Sequence, residues 1–196
     1  MISSKCSSAL LVAPATMLML SGCALIEPAD TSEPPTAMQS CALGHTWELN
    51  TTDLSEKLLV ELPIQGIPAN AVEPSGGQTL TWHKDGGVTI DSDLVLTITA
   101  VPQKDQIMTI TQAYNGTVTG EALINVDVAI PQNWDASKYT IETSAVLGEE
   151  PVEEVPYTIP RSDFDDVLGL IITCDADALT INPRGTDLIQ LWTKAS

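Results

Sequence analysis

Apolar and polar residues alternate with a period of two through most of the chain from residue 78 to residue 194. Such alternation is typical of β-strands that bury one face and expose the other. The clearest example is the segment LVLTITAV at 94–101. Its aliphatic face, which we expect to point into the core, consists of Leu94, Leu96, Ile98 and Ala100, and its more polar face consists of Val95, Thr97, Thr99 and Val101.

Turn signals divide this region into about eight to ten short strands. The dipeptides Asp85-Gly86 and Asn115-Gly116 indicate tight turns, because both favour the positive φ angles that hairpins need. The series predicts an all-β domain, either an antiparallel up-and-down β-barrel or a sandwich, and a barrel also hides both sheet edges. The acidic, proline-rich segment 148–160 is expected to be an exposed loop. The predicted strands are 78–83, 88–90, 94–101, 106–113, 117–130, 138–147, 167–174, 178–182 and 188–194.

One short helix is predicted ahead of these strands, in the segment TTDLSEKLLVEL at 51–62. Leu54, Leu58 and Leu62 recur at helical spacing. Asp53 and Glu56 resemble a capping box at the start of the helix. We expect the helix to end before Pro63, and the proline- and glycine-rich segment 63–77 to be a loop.

The first 22 residues have the pattern of a secretory signal peptide, with Lys5 followed by a mostly apolar run at 10–20. That run is too short to span a bilayer, which needs about 20 apolar residues. The sequence Leu20-Ser21-Gly22-Cys23 that follows resembles the lipobox of bacterial lipoproteins. The resemblance implies that Cys23 carries a diacylglyceryl group and becomes the first residue of the mature chain. It also implies a protein anchored to the extracytoplasmic face of the bacterial cell membrane.

The chain is therefore expected to have three parts: a signal peptide at 1–22, the lipidated cysteine with a tether at 23–40, and a folded domain at 41–196. The tether is acidic and rich in proline, a composition that predicts disorder. A flexible segment of this length reaches a little over ~20 Å. The domain would then stay near the membrane without being pressed against it.

Two cysteines remain in the expected domain, Cys41 at its start and Cys174 at the end of the apolar run VLGLIITC. Outside the cytoplasm an even number of cysteines favours a disulfide, which here would clamp the start of the domain to its end. The alternative is a pair of free, buried thiols. A metal site is not expected, because the cysteines lack CxxC spacing and histidine partners.

The domain resembles the lipocalin-like lipoproteins of high-GC Gram-positive bacteria. The resemblance rests on the start CALGHTWEL, the helix, the hairpin TLTWHKDGGVTI, and a C-terminal order of ITC, ALTINPRG and LIQLWTK. It implies an antiparallel barrel, in some members with a cavity for a small apolar ligand. In lipocalins a first-strand tryptophan plugs one end of the barrel and a basic side chain packs over it. Trp47 and Lys194 are the matching residues here. The chain departs from the family pattern at two points: two residues rather than one separate Gly44 from Trp47, and the basic residue is lysine rather than arginine.

Charge and motif content favour a non-enzymatic protein. With 26 acidic and 8 basic residues, the chain has no basic cluster for nucleic acid, and we expect a monomer. His45 and His83 lie beside tryptophans without a nucleophile motif, so we expect no catalytic site. No cofactor or metal is expected either. The carboxylates at 91 and 93, at 163–166, and at 175 and 177 lack the spacing of a calcium loop.

Two hypotheses for the function follow. In the first, the anchored barrel binds a small apolar or amphipathic ligand in an internal cavity. In the second, the barrel is solid, and its surface meets a protein or cell-wall partner at the envelope. An internal cavity of several hundred Å3 would favour the first, and a barrel filled by side chains would favour the second.

Overall fold

A computed structural model of the chain describes residues 34–103, 106–153, 155, 169–183 and 188–196. Cys23, the signal peptide and most of the expected tether lie outside these residues, as do Asp163, Asp165 and Asp166. The compact unit spans Pro35–Ser196. Its helices are α1 (Ala37–Ala42) and α2 (Thr51–Ile64). Its strands are β1 (His45–Leu49), β2 (Ala69–Ser75), β3 (Gln78–Trp82), β4 (Gly87–Ser92), β5 (Val95–Gln103), β6 (Gln106–Asn125), β7 (Val128–Leu147), β8 (Glu150–Val152), β9 (Leu170–Cys174), β10 (Ala178–Pro183) and β11 (Gln190–Lys194).

Eight strands of the described chain close into an antiparallel barrel, in the order β1, β3, β4, β6, β7, β9, β10 and β11. Each strand pairs with the next one in this order, and the last pairs with the first through Trp47 and Lys194. This closure confirms the predicted up-and-down barrel and excludes the sandwich. It is consistent with the lipocalin-like fold that the resemblance implies.

The remaining strands extend the sheet beyond one end of the barrel. β6 and β7 have 20 residues each, so each strand runs through the barrel wall and on into the extension. There β5 pairs with the first half of β6, β2 pairs with β5, and β8 pairs with the end of β7. β2 lies in the segment predicted to be a loop. Pro74 is tolerated in it because β2 is an edge strand, where a missing N–H breaks no ladder.

A single hydrophobic cluster runs through the barrel and the extension. It includes three buried leucines of α2, which are Leu54, Leu58 and Leu62. The aliphatic face of β5 belongs to it as predicted, since Leu96 is 1% exposed and Ile98 is fully buried. Thr97 and Thr99, on the opposite face, are half-buried.

Further predicted details of the strands are wrong. The segment 148–160 was expected to be a loop, but its residues 150–152 form β8, which pairs with the end of β7. The Asn115-Gly116 dipeptide is not a hairpin turn, because β6 continues through it. Gly116 is needed there for a close approach, since a Cβ would lie 1.9 Å from the Lys138 carbonyl oxygen and φ is 107°. The actual turn between β6 and β7 is at Val126-Asp127, within the predicted strand 117–130. This turn could not be predicted from the sequence, because Val126 adopts φ 57°, a conformation that β-branched residues rarely take.

The described fold begins before Cys41. α1 covers residues 37–40, which the sequence analysis assigned to the tether. A capping box starts this helix: the Thr36 hydroxyl accepts a hydrogen bond from Gln39 N (3.1 Å), and the Gln39 side chain accepts one from Thr36 N (2.9 Å). No described helix is long and apolar enough to cross a membrane.

The second helix also differs at its ends from the prediction. Asn50 caps α2, accepting a hydrogen bond from Asp53 N at 3.0 Å, so the cap lies three residues before the expected Asp53. The helix includes Pro63 in its last turn and ends at Ile64. The apolar spacing determined the body of the helix correctly, because Leu54, Leu58 and Leu62 are all buried.

A disulfide joins Cys41 and Cys174, as predicted. The two Cα atoms are 6.0 Å apart, and 133 positions separate the cysteines in the sequence. The bond links α1 to the last residue of β9. It therefore clamps the start of the domain to the C-terminal part of the barrel.

Candidate functional site

The first candidate site is the barrel end occupied by Trp47. The Trp47 side chain is fully buried, and Nε1 donates a hydrogen bond to the Ala42 carbonyl at 3.4 Å. Lys194 is its register partner on β11, so both side chains lie on the same face of the wall. The two residues that the resemblance identified as a plug are therefore neighbours.

A third residue, His45, connects this pair. The Lys194 Nζ lies 3.3 Å from His45 Nε2, and the His45 ring packs edge-on against Trp47 at a centroid distance of 6.1 Å. The sequence analysis considered His45 only as a catalytic candidate and expected no catalytic site there. Its position two residues before Trp47 on a strand, which places both on one face, was the available signal.

Three tryptophans are buried in the barrel interior. Trp47 and Trp192 are fully buried, and Trp82 is 2% exposed. Beside Trp82 lies a partly open apolar void of about 10 Å3, lined by Leu80, Val88, Ala122, Pro131, Trp134, Leu170 and Ile181. This volume is at the lower limit for a single water molecule and far below that of a ligand pocket, about 300–1,000 Å3.

A second candidate site is an open cleft of about 580 Å3, where the barrel meets the extension. At this bend, Gly76 and Gly77 join β2 to β3, and Asp93 lies between β4 and β5. The two connections pack tightly, because a Cβ on Gly76 would lie 2.2 Å from the Asp93 carbonyl oxygen. The cleft is lined by Glu48, Leu49, Thr51, Gly76, Gly77, Gln78, Thr79, Asp91, Ser92, Asp93, Gly116 and Thr117.

Hydrogen bonds hold two carboxylates of this cleft in place. Asp93 Oδ1 accepts a bond from Gly77 N at 2.7 Å, and Asp93 N donates one to the Gly77 carbonyl at 3.0 Å. Asp91 Oδ1 accepts a bond from the Thr117 hydroxyl at 2.5 Å. In these contacts each carboxylate uses only Oδ1 as the acceptor.

A smaller recess of about 150 Å3 shares Thr117 with the cleft. Its other lining residues are Thr119, Asp135, Ser137 and Lys138. Hydrogen bonds from the Ser137 side chain and backbone lower the pKa of the exposed Asp135 carboxyl. The Asp135 carboxyl is therefore ionised at neutral pH.

Neither histidine lies in a recognisable catalytic arrangement within the described chain. His83 is exposed, and its Nε2 lies 3.3 Å from the Thr89 hydroxyl. The described residues also contain no group of three Asp, Glu, His or Cys side chains that could hold a metal ion. The polar side chains described for the cleft are carboxylates, hydroxyls and one amide.

No protein-family model matches the chain, and no curated protein matches it significantly. The sequence analysis did not find the cleft, because its residues come from several elements: β1, the start of α2, β3, β4, β6 and the bends. The glycine pair at 76–77 was the available signal. It was interpreted as part of a loop, whereas it marks the bend between two strands.

Proposed function

We propose that this protein is a non-enzymatic lipoprotein, anchored through Cys23 to the extracytoplasmic face of the bacterial cell membrane. Its solid barrel acts as a rigid module that presents a surface to a partner at the envelope. We favour an interaction module over a carrier of apolar ligands because large side chains are buried inside the barrel and the void beside Trp82 is small. Ligand binding inside the barrel is the alternative.

The proposed anchor and location rest on two supports. The complete match of residues 20–23 to the lipobox supports attachment of a lipid at Cys23. One acyl chain gives only marginal membrane binding, whereas two give stable anchoring. The Cys41–Cys174 disulfide supports an oxidising compartment outside the cytoplasm.

The interaction role rests on the contents of the barrel. A lipocalin-type carrier needs an internal space of several hundred Å3, whereas the void next to Trp82 measures about 10 Å3. Trp47 and Trp192 are fully buried, which also means that no water-sized space touches their rings. A solid eight-stranded barrel is a stable scaffold, and its outer surface and bends remain available for contacts.

The Cys23→Ala variant is expected to lose membrane retention. Removing the sulfur removes the attachment point of the lipid, and no other anchor is proposed. The measurement is detergent phase partitioning of protein expressed in a bacterium that processes lipoproteins. Cys6→Ala is the matched control, because it removes a cysteine from the segment expected to be cleaved. Partitioning of Cys23→Ala into the detergent phase would contradict the anchor.

The filled interior is tested by lipid co-purification. We expect the Cys23→Ala protein, which has no covalent lipid, to yield much less than one extractable lipid per chain by mass spectrometry. Trp82→Ala provides a control, because it opens space at the existing void and is expected to bind benzene detectably in a titration. About one tightly held lipid per wild-type domain would instead support the carrier hypothesis.

A further inference from the structure

We propose that the tip of the β6–β7 hairpin contacts the lipid bilayer and that its aliphatic side chains enter the membrane interface beside the lipid anchor. The hairpin patch consists of Leu123, Val126, Ile130 and Ile171, which are between 40% and 70% exposed. The inference rests on the proposed anchor at Cys23, and it names the bilayer itself as a partner of the domain. It does not depend on the contents of the barrel.

The hairpin patch is one continuous surface across three strands. Leu123 on β6 and Ile130 on β7 are register partners, so their Cβ atoms lie about 5 Å apart on the same face. Ile171 on β9 pairs with Val128, which lies two residues before Ile130 and therefore on the same face of β7. A Cβ on Gly169 would lie 3.1 Å from Val128 Cγ1 and 3.9 Å from Ile130 Cγ1. The aliphatic side chains of β7 therefore lean over this glycine toward β9.

The tip of the hairpin projects beyond its neighbour on one side. β4 pairs with β6 only as far as Glu121, and the turn at Val126-Asp127 lies about 15 Å further along the strand. The tip sequence LINVDVAI at 123–130 contains one charged residue, Asp127. Such a tip can enter the boundary between headgroups and acyl chains, about 5–10 Å deep, while the Asp127 carboxylate stays hydrated among the headgroups.

The backbone at the turn gives an independent indication that the aliphatic side chain is used. Val126 is the most exposed residue of the hairpin patch, and it adopts φ 57°. This left-handed conformation is costly for a β-branched residue, whereas glycine or asparagine adopts it readily. Strained residues of this kind concentrate at sites where the strain serves a function. Contact of the valine with lipid would offset the cost of holding it in this turn.

The first helix places the lipid anchor at the same end of the barrel as the hairpin patch. Gln39 Nε2 donates a hydrogen bond to the Ile124 carbonyl at 3.2 Å, so α1 touches the hairpin three residues after its Thr36 cap. The chain that leads back to Cys23 therefore leaves the domain beside the patch. The tether predicted from its composition spans about 20 Å on average over this length. The anchor and the patch can thus meet one bilayer at the same time, which selects lipid as the occupant over a second copy of the chain.

The test measures the membrane depth of the tip in the mature lipoprotein, reconstituted in phosphatidylcholine vesicles. An environment-sensitive fluorophore is attached to Asn125→Cys, an exposed position in the tip. The disulfide and the proposed acylation leave no other free thiol in the mature chain. We expect nitroxide-labelled phospholipids to quench this fluorophore by at least about twofold. The same fluorophore at Glu149→Cys, an exposed position beyond the far end of β7, is the matched control and should not be quenched.

Two variants test whether the aliphatic side chains drive the contact. Leu123→Ser/Ile130→Ser changes exposed positions and should lower the quenching at Asn125→Cys to the level of the control. Val126→Asn suits the left-handed turn better, so it should raise the melting temperature and still lower the quenching. Unchanged quenching in the folded Val126→Asn protein would contradict the inference, even if the double variant unfolds.

Flotation of the same samples with the vesicles separates the possible failures. Protein that does not float would overturn the anchor at Cys23 and the membrane contact with it. Protein that floats, but whose fluorophore at residue 125 is quenched no more than that at residue 149, would overturn the membrane contact alone. A blue-shifted emission without quenching by the labelled lipids would assign the hairpin patch to a protein contact, such as a second copy of the chain, and would also overturn it.

Discussion

Replacing Ile98 with aspartate is expected to unfold the domain, or to lower its free energy of unfolding by more than about 4 kcal/mol. Ile98 is fully buried on β5, and its neighbours Leu96 and Ala100 on the same face are at most 1% exposed. An aspartate there must either bury an uncompensated charge or take up a proton. It also removes the buried aliphatic side chain and leaves a gap in the core. The measurement is urea denaturation followed by far-UV circular dichroism.

Thr97→Asp is the matched control, because it introduces the same side chain one residue away on the opposite face of β5. Thr97 is half-buried, so water can still reach the new carboxylate, and we expect a loss below about 1 kcal/mol. Leu96→Asp should behave like Ile98→Asp. Greater damage from Thr97→Asp than from Ile98→Asp would mean that the register of β5 is inverted. Tolerance of all three changes would mean that β5 is not a core strand.

Removing the disulfide through Cys41→Ser/Cys174→Ser is the second change with a large expected effect. The bond closes a loop across 133 positions of sequence. In the chain-entropy model a loop of this length contributes about 5 kcal/mol at most, by restricting the unfolded chain. We expect a loss of up to that size, with little change in the secondary structure at low temperature, since β1 and β9 keep their strand partners.

The measurement compares urea midpoints of the wild-type and double-variant proteins under non-reducing conditions. Wild-type protein treated with a reductant is the internal control and should match the double variant. Peptide mapping without reduction should find the two cysteine peptides joined. Full alkylation of both native thiols in exported protein would contradict the bond.

The strands that could be predicted from the sequence are those with alternating residues and glycine turns. β3, β4 and β5 lie close to their predicted bounds, and the turn at Asp85-Gly86 is present, with Gly86 at φ 92°. The predictions were wrong where tertiary contacts decided the conformation. Gly116 serves a close approach to Lys138 within a continuous strand, and Val126 forms a turn that its residue type disfavours.

Local patterns by themselves determined the all-β class, the buried face of β5, the helix before the main strands and the pairing partners of the disulfide. These features depend on the periodicity of apolar residues over short segments or on the number of cysteines, and both can be read directly from the sequence. Only the tertiary structure decided that β2 is followed by β3 after a bend at Gly76-Gly77 and that three tryptophans are buried in the barrel. It alone also brought Glu48, Asp91 and Gln78 to one cleft. These outcomes depend on the pairing register between strands that are far apart in the sequence. The alternation of apolar and polar residues does not determine that register, because the same pattern recurs every two residues.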